Sequence, residues 1–274
     1  MKKKPLVLIK YGGNAMLSER LKQSVVQNIL KLHSKGYRIV LVHGGGPFIQ
    51  RMLELVKIES EFIEGHRKTS SEALKYIEMA LKGEVNGSLV NLLNKTGLKA
   101  IGLSGKDGRM VLARKRYHLK KQNGKEVRLD LGQVGDVEQV DTSLLDTLLE
   151  KGYLPVVTCI ASDEEGDDYN INADMFAGNL AGALGATHYL VLTDVDGLLE
   201  DIDDPSSVIR KLNLKELDSL YGSVIKGGMI PKLESCELAL RQGARSARII
   251  NGTKPEAIFE AVNTEKIIGT EICL

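Results

Sequence analysis

Short apolar runs alternate with helical periodicities along this 274-residue chain, and that alternation restricts its fold more than any other feature. Leu6 to Ile9 and Ile39 to Val42 read as buried strands. Between them Ser18 can cap a helix whose apolar residues Leu21, Val25, Ile29 and Leu32 recur at helical spacing, with Gly36 to close it. Pro47 suits the first turn of a helix carrying Ile49, Met52, Leu53 and Val56. Ser70 or Ser71 opens a long helical pattern of Leu74, Ile77, Leu81, Val85, Leu89 and Leu92, and Ala100 to Leu103 follows as a third strand. Residues 109–140 change character, with short β-like runs around Asn123-Gly124, a hairpin turn signal. The alternation then resumes with a helix from Thr142 to Leu149, the strand Leu154 to Ile160 and the helix Ala173 to Leu184. The strand Tyr189 to Leu192, the helix Met229 to Gln242, the strand Ala247 to Ile250, a helix from Pro255 and a strand within Gly269 to Cys273 complete it. Strands separated by helices of about 10–15 residues build βαβ units, so the expected class is α/β on a mainly parallel sheet with an antiparallel hairpin insert. The acidic stretch Ser162 to Asp168 interrupts the apolar pattern and divides the chain into an N-terminal lobe, 1–165, and a C-terminal lobe, 166–274.

Composition narrows the function classes. Lys and Arg number 37 against 36 Asp and Glu, so no basic excess drives binding to nucleic acid or an anionic membrane. The run after Lys2-Lys3-Lys4 stops at Lys10, too short for a secretory signal, and no apolar stretch reaches 18 residues. Three scattered cysteines (Cys159, Cys236, Cys273) suit neither a disulfide framework nor a cysteine metal cluster. These features together lead to the expectation of a cytoplasmic protein. Glycine is the informative excess, 28 residues and clustered.

Two strands end directly in such clusters, Lys10-Tyr11-Gly12-Gly13 and His43-Gly44-Gly45-Gly46-Pro47. Glycine lets backbone N–H groups approach an anion closely, and a following helix adds its positive end. Two clusters, one preceded by Lys10, therefore read as anion-binding loops rather than as turns alone. The chain lacks G-x-x-x-x-G-K-[ST], G-x-G-x-x-G and H-E-x-x-H, which argues against a P-loop enzyme, a dinucleotide-binding Rossmann enzyme and a zinc hydrolase. Two further constellations stand out. In Tyr169-Asn170-Ile171-Asn172-Ala173-Asp174, a helix cap accounts for one of the three polar residues. In Lys226-Gly227-Gly228-Met229-Ile230-Pro231-Lys232, Lys232 falls in the first turn of a helix, where the macrodipole disfavours a cation unless it faces an anion.

In chain order, Lys10 to Ala15, His43 to Pro47, Gly65 to Thr69, Gly102 to Gly108, Asn170 to Asp174 and Gly227 to Lys232 resemble the amino acid kinase family, in particular its N-acetylglutamate kinase branch. The resemblance implies a three-layer αβα sandwich on a roughly eight-stranded, mainly parallel sheet. It implies transfer of the γ-phosphoryl of ATP, with Mg²⁺, to the side-chain carboxylate of N-acetyl-L-glutamate in arginine biosynthesis. It gives Lys10, Lys232 and Asp174 the catalytic roles, two lysines neutralising the transferring group and Asp174 holding both ammonium groups in place. It gives Gly44, Gly45, Gly46, Arg67, Asn170 and Asn172 the acylated amino acid. The nucleotide would meet Lys10, Gly12, Gly13, Lys232 and, after the strand Tyr189 to Leu192, Thr193, Asp194 and Gly197. No metal-ligating residue is expected, because Mg²⁺ is held largely by phosphates. An ionised carboxylate acceptor needs no general base.

Rivals exist within the fold and beyond it. A kinase of carrier-protein-linked aminoadipate or glutamate in lysine biosynthesis would suit residues 109–128, which hold eight basic residues and one acid, 8 − 1 = +7. A non-catalytic sensor is the other, although Lys10, Asp174 and Lys232 are all present. A solvated hairpin face explains the charge better than a nucleic-acid site, since no aromatic ladder accompanies it. Arginine-inhibited members carry an N-terminal helix that builds a hexamer, and Met1 to Lys4 alone precede the first strand here. A homodimer through the long helix Leu74 to Leu93, not inhibited by arginine, is the expectation. The sequence carries no signal for or against a PII-type regulator.

Overall fold

The computed structural model describes residues 4–63, 66–122 and 125–274. The expected Asn123-Gly124 turn and Gly65 lie outside the described residues. From the N-terminus, β1 (Leu6–Tyr11) leads to α1 (Glu19–Ser34), β2 (Arg38–His43) and α2 (Gly46–Leu55). Two short antiparallel strands, β3 (Glu61–Ile63) and β4 (His66–Lys68), precede α3 (Ser71–Glu78). The helix continues in π form over Met79–Asn86 into α4 (Gly87–Asn94). Then come β5 (Ala100–Ser104), β6 (Val111–Gln122), β7 (Lys125–Val140), α5 (Ser143–Glu150), β8 (Leu154–Thr158), β9 (Ile160–Ser162) and β10 (Asp168–Ile171). The remainder is α6 (Ala173–Ala183), β11 (His188–Thr193), β12 (Lys211–Asn213), α7 (Leu214–Leu220), α8 (Ile230–Gln242), β13 (Ala247–Asn251), α9 (Ala257–Asn263) and β14 (Thr270–Cys273).

Eight strands form the central sheet in the order β12-β14-β13-β11-β1-β2-β8-β5. Every pairing in it is parallel except β13 with β14. Its two faces follow from period-two alternation. Leu6 and Leu8 of β1 pack with α2, α3, α5, α6 and α8, whereas Val7, Ile9 and Tyr11 pack with α1, α4 and α9. The three-layer αβα sandwich expected from the sequence is therefore present. The insert is β6 and β7, antiparallel, closed by β9 and β10 into a small four-stranded unit. Part of its basic charge is answered within it. Lys115 pairs with Asp130 at 2.8 Å, Arg116 with Asp136 at 2.7 Å, and Arg128 lies 3.7 Å over the Tyr117 ring. Both acids fall just beyond the 109–128 window that gave +7. Among the described residues no helix is long and apolar enough to cross a membrane.

Within the acidic stretch Ser162 to Asp168, residues 163–167 join β9 to β10, an antiparallel pair. Two details differ from expectation. The long helix buries Leu93 rather than Leu92, because i→i+5 bonding over Met79–Asn86 admits an extra residue and shifts the apolar stripe. That stripe also serves the chain's own core, Leu74, Ile77 and Leu81 on one sheet face and Val85, Leu89 and Leu93 on the other. Its length therefore gives no separate argument for a dimer.

Candidate active site

Connections out of β1 run toward β2, and those out of β11 run toward β13. The crevice beyond the carboxyl ends of β1 and β11 is thus a topological switch point, where an open α/β sheet receives ligands. Lys10 is the penultimate residue of β1 and points to the same face as Leu8. There it meets Asp174, in the first turn of α6, with Nζ 2.8 Å from Oδ1. This contact is a buried ion pair. Lys232, in the first turn of α8, donates from 3.3 Å to the other oxygen, Oδ2. One carboxylate thus bridges two ammonium groups carried by two different elements.

Close helix packing sets this spacing. A Cβ at Gly178 of α6 would stand 2.6 Å from the Ser235 carbonyl of α8, so only glycine allows the two helices this approach. Ser235 Oγ donates to the Lys232 carbonyl at 2.8 Å and shares a 3.0 Å hydrogen bond with Tyr189 Oη, which reaches the Asp174 carbonyl at 3.3 Å. Asp174 is buried, and burial alone would raise its pKa, but Lys10 and Lys232 outweigh that and hold it below the ordinary carboxylate range. The pKa of Lys232 is lowered too, chiefly by burial and then by the like charge of Lys10, against the pull of Asp174, so its charged form is the disfavoured one. Two cations and one anion leave this half-closed site with a net positive charge that an entering anion would balance.

A cleft of about 360 Å³ opens over the triad, lined by Lys10, Gly12, Gly13, Thr193, Asp194, Lys226, Gly228, Met229 and Lys232. A Cβ at Gly12 would lie 3.0 Å from Lys10 Nζ and crowd the ammonium group. A second cleft of about 510 Å³ shares Val195, Ile202, Lys226 and Met229 with it and adds Gly197, Leu198, Leu199 and Val224. Of the sequence-derived nucleotide residues, Gly197 alone lies in this second cleft. Its own constraint is packing, at φ +133° against Thr270.

The second glycine loop differs in detail from expectation. The Gly44 N–H donates to the Tyr11 carbonyl at 3.2 Å, so it is engaged within the fold instead of facing the acylated amino acid. Gly45 stands at the N-cap of α2, and Gly46 opens that helix. Beneath the loop, His43 is fully buried, and burial, with a minor contribution from Lys82, lowers its pKa from 6.5 to about 4 despite the opposing Gly44 hydrogen bond. Unfolding restores the ordinary value, so below that value the unfolded chain binds the extra proton and stability falls as pH drops from about 6.5 toward 4. Between pH 7 and about pH 4.5 the loss from this residue is about 2–3 kcal/mol, and His43→Asn lacks it. Urea midpoints of both proteins at the two pH values check this; parallel pH dependences would contradict it.

Arg67 on β4 is half-buried and held in place. Its Nη1 donates to Gln50 Oε1 of α2 at 3.1 Å and to Ser60 Oγ, and the guanidinium lies 4.5 Å over the Phe62 ring. Among the described residues no carboxylate pairs with it. Asn170 sits half-buried on β10, four residues ahead of Asp174. Asn172 is the N-cap of α6, its Oδ1 accepting from the Asp174 and Met175 amides at 2.9 and 3.2 Å. That oxygen serves the helix rather than a ligand, and it orients the turn bearing Asp174. Among the described residues no group of three or more His, Cys, Asp or Glu side chains converges as a metal site.

A model of the amino acid kinase family matches residues 5–251. An acetylglutamate kinase of Methanocaldococcus jannaschii is 46% identical over 269 residues, 97% of this chain and 90% of that protein. One from Moorella thermoacetica is 45% identical over 267 residues, again 97% of this chain and 90% of the relative. Among solved structures, N-acetylglutamate synthase from Neisseria gonorrhoeae, complexed with coenzyme A and N-acetyl-glutamate, aligns with a TM-score of 0.81 at 20% identity. That alignment covers 98% of this chain and 59% of the synthase, and it speaks to the fold alone.

Proposed function

The chain belongs to the amino acid kinase family, and we propose that it transfers the γ-phosphoryl group of ATP to the side-chain carboxylate of N-acetyl-L-glutamate, giving N-acetyl-L-glutamyl 5-phosphate, a step of arginine biosynthesis in the cytoplasm. The observation that carries the reading is Asp174 bridging Lys10 and Lys232 at the switch-point cleft. Phosphoryl transfer between two anions asks for fixed positive charge at the reacting centre. The acceptor is already ionised at pH 7, so Asp174 acts as a holder of ammonium groups and not as a base. The smaller cleft suits the triphosphate against Lys10, Gly12, Gly13 and Lys232, and the larger one, which adds Leu198, Leu199 and Val224, suits the base. Gly45, Gly46, Arg67 and Asn170 are assigned to the acylated amino acid, with the N-terminal lobe to 165 holding it and the C-terminal lobe from 166 holding ATP. Asp174 is committed to two lysines, which fits a Mg²⁺ held by ATP phosphates and water; that ion would supply further charge neutralisation. A coupled assay with hydroxylamine trapping of the acyl phosphate tests donor, acceptor and product together. Absence of trapped product with free N-acetyl-L-glutamate would overturn the reading.

Arg67 carries the second test. Its guanidinium is stacked and tethered yet has no acidic partner among the described residues, which suits a bidentate grip on the substrate α-carboxylate. Arg67→Lys is expected to raise the KM for N-acetyl-L-glutamate roughly 10–100-fold, the loss of one charge-assisted pair, with the KM for ATP little changed. Equal loss for both substrates would remove Arg67 from that site. The working unit is taken as a homodimer, supported by Leu55, Phe62 and Met79, which stay exposed on adjoining elements. Light scattering decides it, a monomeric mass counting against it.

A further inference from the structure

His43 has no task in the reaction as read so far, yet it anchors a closed network. Its Nδ1 lies 2.9 Å from the Gly44 carbonyl oxygen and its Nε2 lies 2.9 Å from Asn86 Nδ2. The same Asn86 nitrogen donates to the Val156 carbonyl at 2.9 Å. A carbonyl only accepts, so Val156 fixes which end of the Asn86 amide is nitrogen, and Gly44 fixes the imidazole proton on Nδ1. Nε2 is then left as the acceptor from Asn86. Asn86 reaches this point as the last residue of the π-helical segment, and a Cβ at Gly102 would collide with its Oδ1. A π turn inside a long helix is characteristic of functional sites, and here it delivers one buried amide to three strands.

The consequence lies in the next peptide. Val40 and Val42 of β2 face α6 and its neighbours, while Ile39 and Leu41, and by alternation His43, face α1 and α4. The Gly44 carbonyl is drawn to the His43 side. In a trans peptide the following N–H points the opposite way, so the Gly45 N–H is turned toward the α6 face. That face is close, since a Cβ at Gly44 would lie 3.2 Å from Cβ of Ala173, the neighbour of Asp174. We propose that His43 is a positioning residue, which locks the Gly44–Gly45 peptide so that the Gly45 N–H is presented to the transferring phosphoryl group, and that Asn86 fixes the imidazole tautomer able to do this. The proposal rests on the phosphoryl-transfer reading for the identity of the group received. Lys82, whose Nζ is tied to Asp107 at 2.9 Å, is the charged neighbour of the ring, and burial keeps the imidazole neutral through the working range.

Three variants and one spectrum test it. His43→Leu and Asn86→Ala are expected to lower kcat about 10–100-fold, short of the ~10²–10³ for outright loss of one preorganised donor, with both KM values within about threefold. His43→Asn keeps a side-chain N–H for the Gly44 carbonyl and is expected to recover kcat to within about fivefold of the wild type. A long-range ¹H–¹⁵N spectrum of the wild type should show Nδ1 protonated and Nε2 bare, with a tautomer mixture in Asn86→Ala. Where His43→Leu does not fold, Asn86→Ala and the spectrum still decide. Near-full kcat in the variants, a loss carried by KM, no rescue by His43→Asn, or a proton on Nε2 would each overturn the positioning role. Absence of acyl phosphate from the wild type would instead overturn the kinase reading, while the spectrum would still report on the His43–Gly44 contact.

Discussion

Lys232→Ala is expected to lower kcat by about 10²–10⁴ while the folded protein stays within about 1 kcal/mol of the wild type or gains stability. The two effects have one cause. Lys232 shares Asp174 with Lys10, and its pKa is lowered chiefly by burial and by the like charge of Lys10. A cation whose folded pKa lies below its unfolded value destabilises the fold while protonated. Its removal leaves the balanced Lys10–Asp174 pair at 2.8 Å. In the reaction the same surplus charge meets the developing charge of the transferring group, where electrostatic preorganisation contributes most. Lys10→Ala is expected to fall in the same kcat range, with smaller changes in both KM values. Steady-state kinetics and urea denaturation on one preparation test the pairing of effects. Near-full kcat in either variant would remove that lysine from the chemistry. Lost activity with several kcal/mol of lost stability would mean that Lys232 is structural.

The sequence showed the elements whose cause is local, and less of what depends on tertiary contact. Strand-to-helix alternation yielded the mainly parallel α/β sheet, the resemblance implied its three layers, and the glycine loops after β1 and β2 located the site because a switch point must lie beyond strand ends. The triad came from motif resemblance, since nothing in the spacing of residues 10, 174 and 232 announces that one carboxylate lies between two amines. The π-helical segment was invisible, because Leu74 to Leu92 fits an unbroken α-helix as well as the real one until burial separates Leu92 from Leu93. His43 and Asn86 were missed for the same reason, being joined only when that extra residue turns Asn86 inward. Asn172 was open to both readings, and the amides of Asp174 and Met175 assign its oxygen to the cap. The helix α7 did leave a signal, Asn213 followed three residues later by Glu216, a capping box that the structure forms.

Asp174→Asn should cost both stability and rate, the opposite pairing to Lys232→Ala. The asparagine keeps the shape and leaves Lys10 and Lys232 facing each other without an anion, in a site where both are largely shielded from water. Breaking a buried pair by removing one partner costs about 3–5 kcal/mol, and for a domain of this size that is a fall in Tm of roughly 6–20 °C. The pH dependence has a definite sign. Without Asp174 the pKa of Lys232 falls further below its unfolded value, so the unfolded chain binds more protons and the variant gains stability as pH rises. The gap to the wild type is therefore expected to narrow between about pH 7 and about pH 9.5. Adding Lys232→Ala to Asp174→Asn relieves the repulsion, so the double variant is expected to be more stable than Asp174→Asn alone, a non-additivity that contact between the two side chains requires. kcat should drop by at least about 10²-fold, because the ammonium groups are no longer held where charge develops, while the KM for ATP does not rise in a site that has become more positive. Thermal melts across pH, the double-mutant cycle and kinetics on the same variants test this account. A stability gap that widens with pH, or additive effects of the two substitutions, would show that Asp174 is not the charge holding these lysines together.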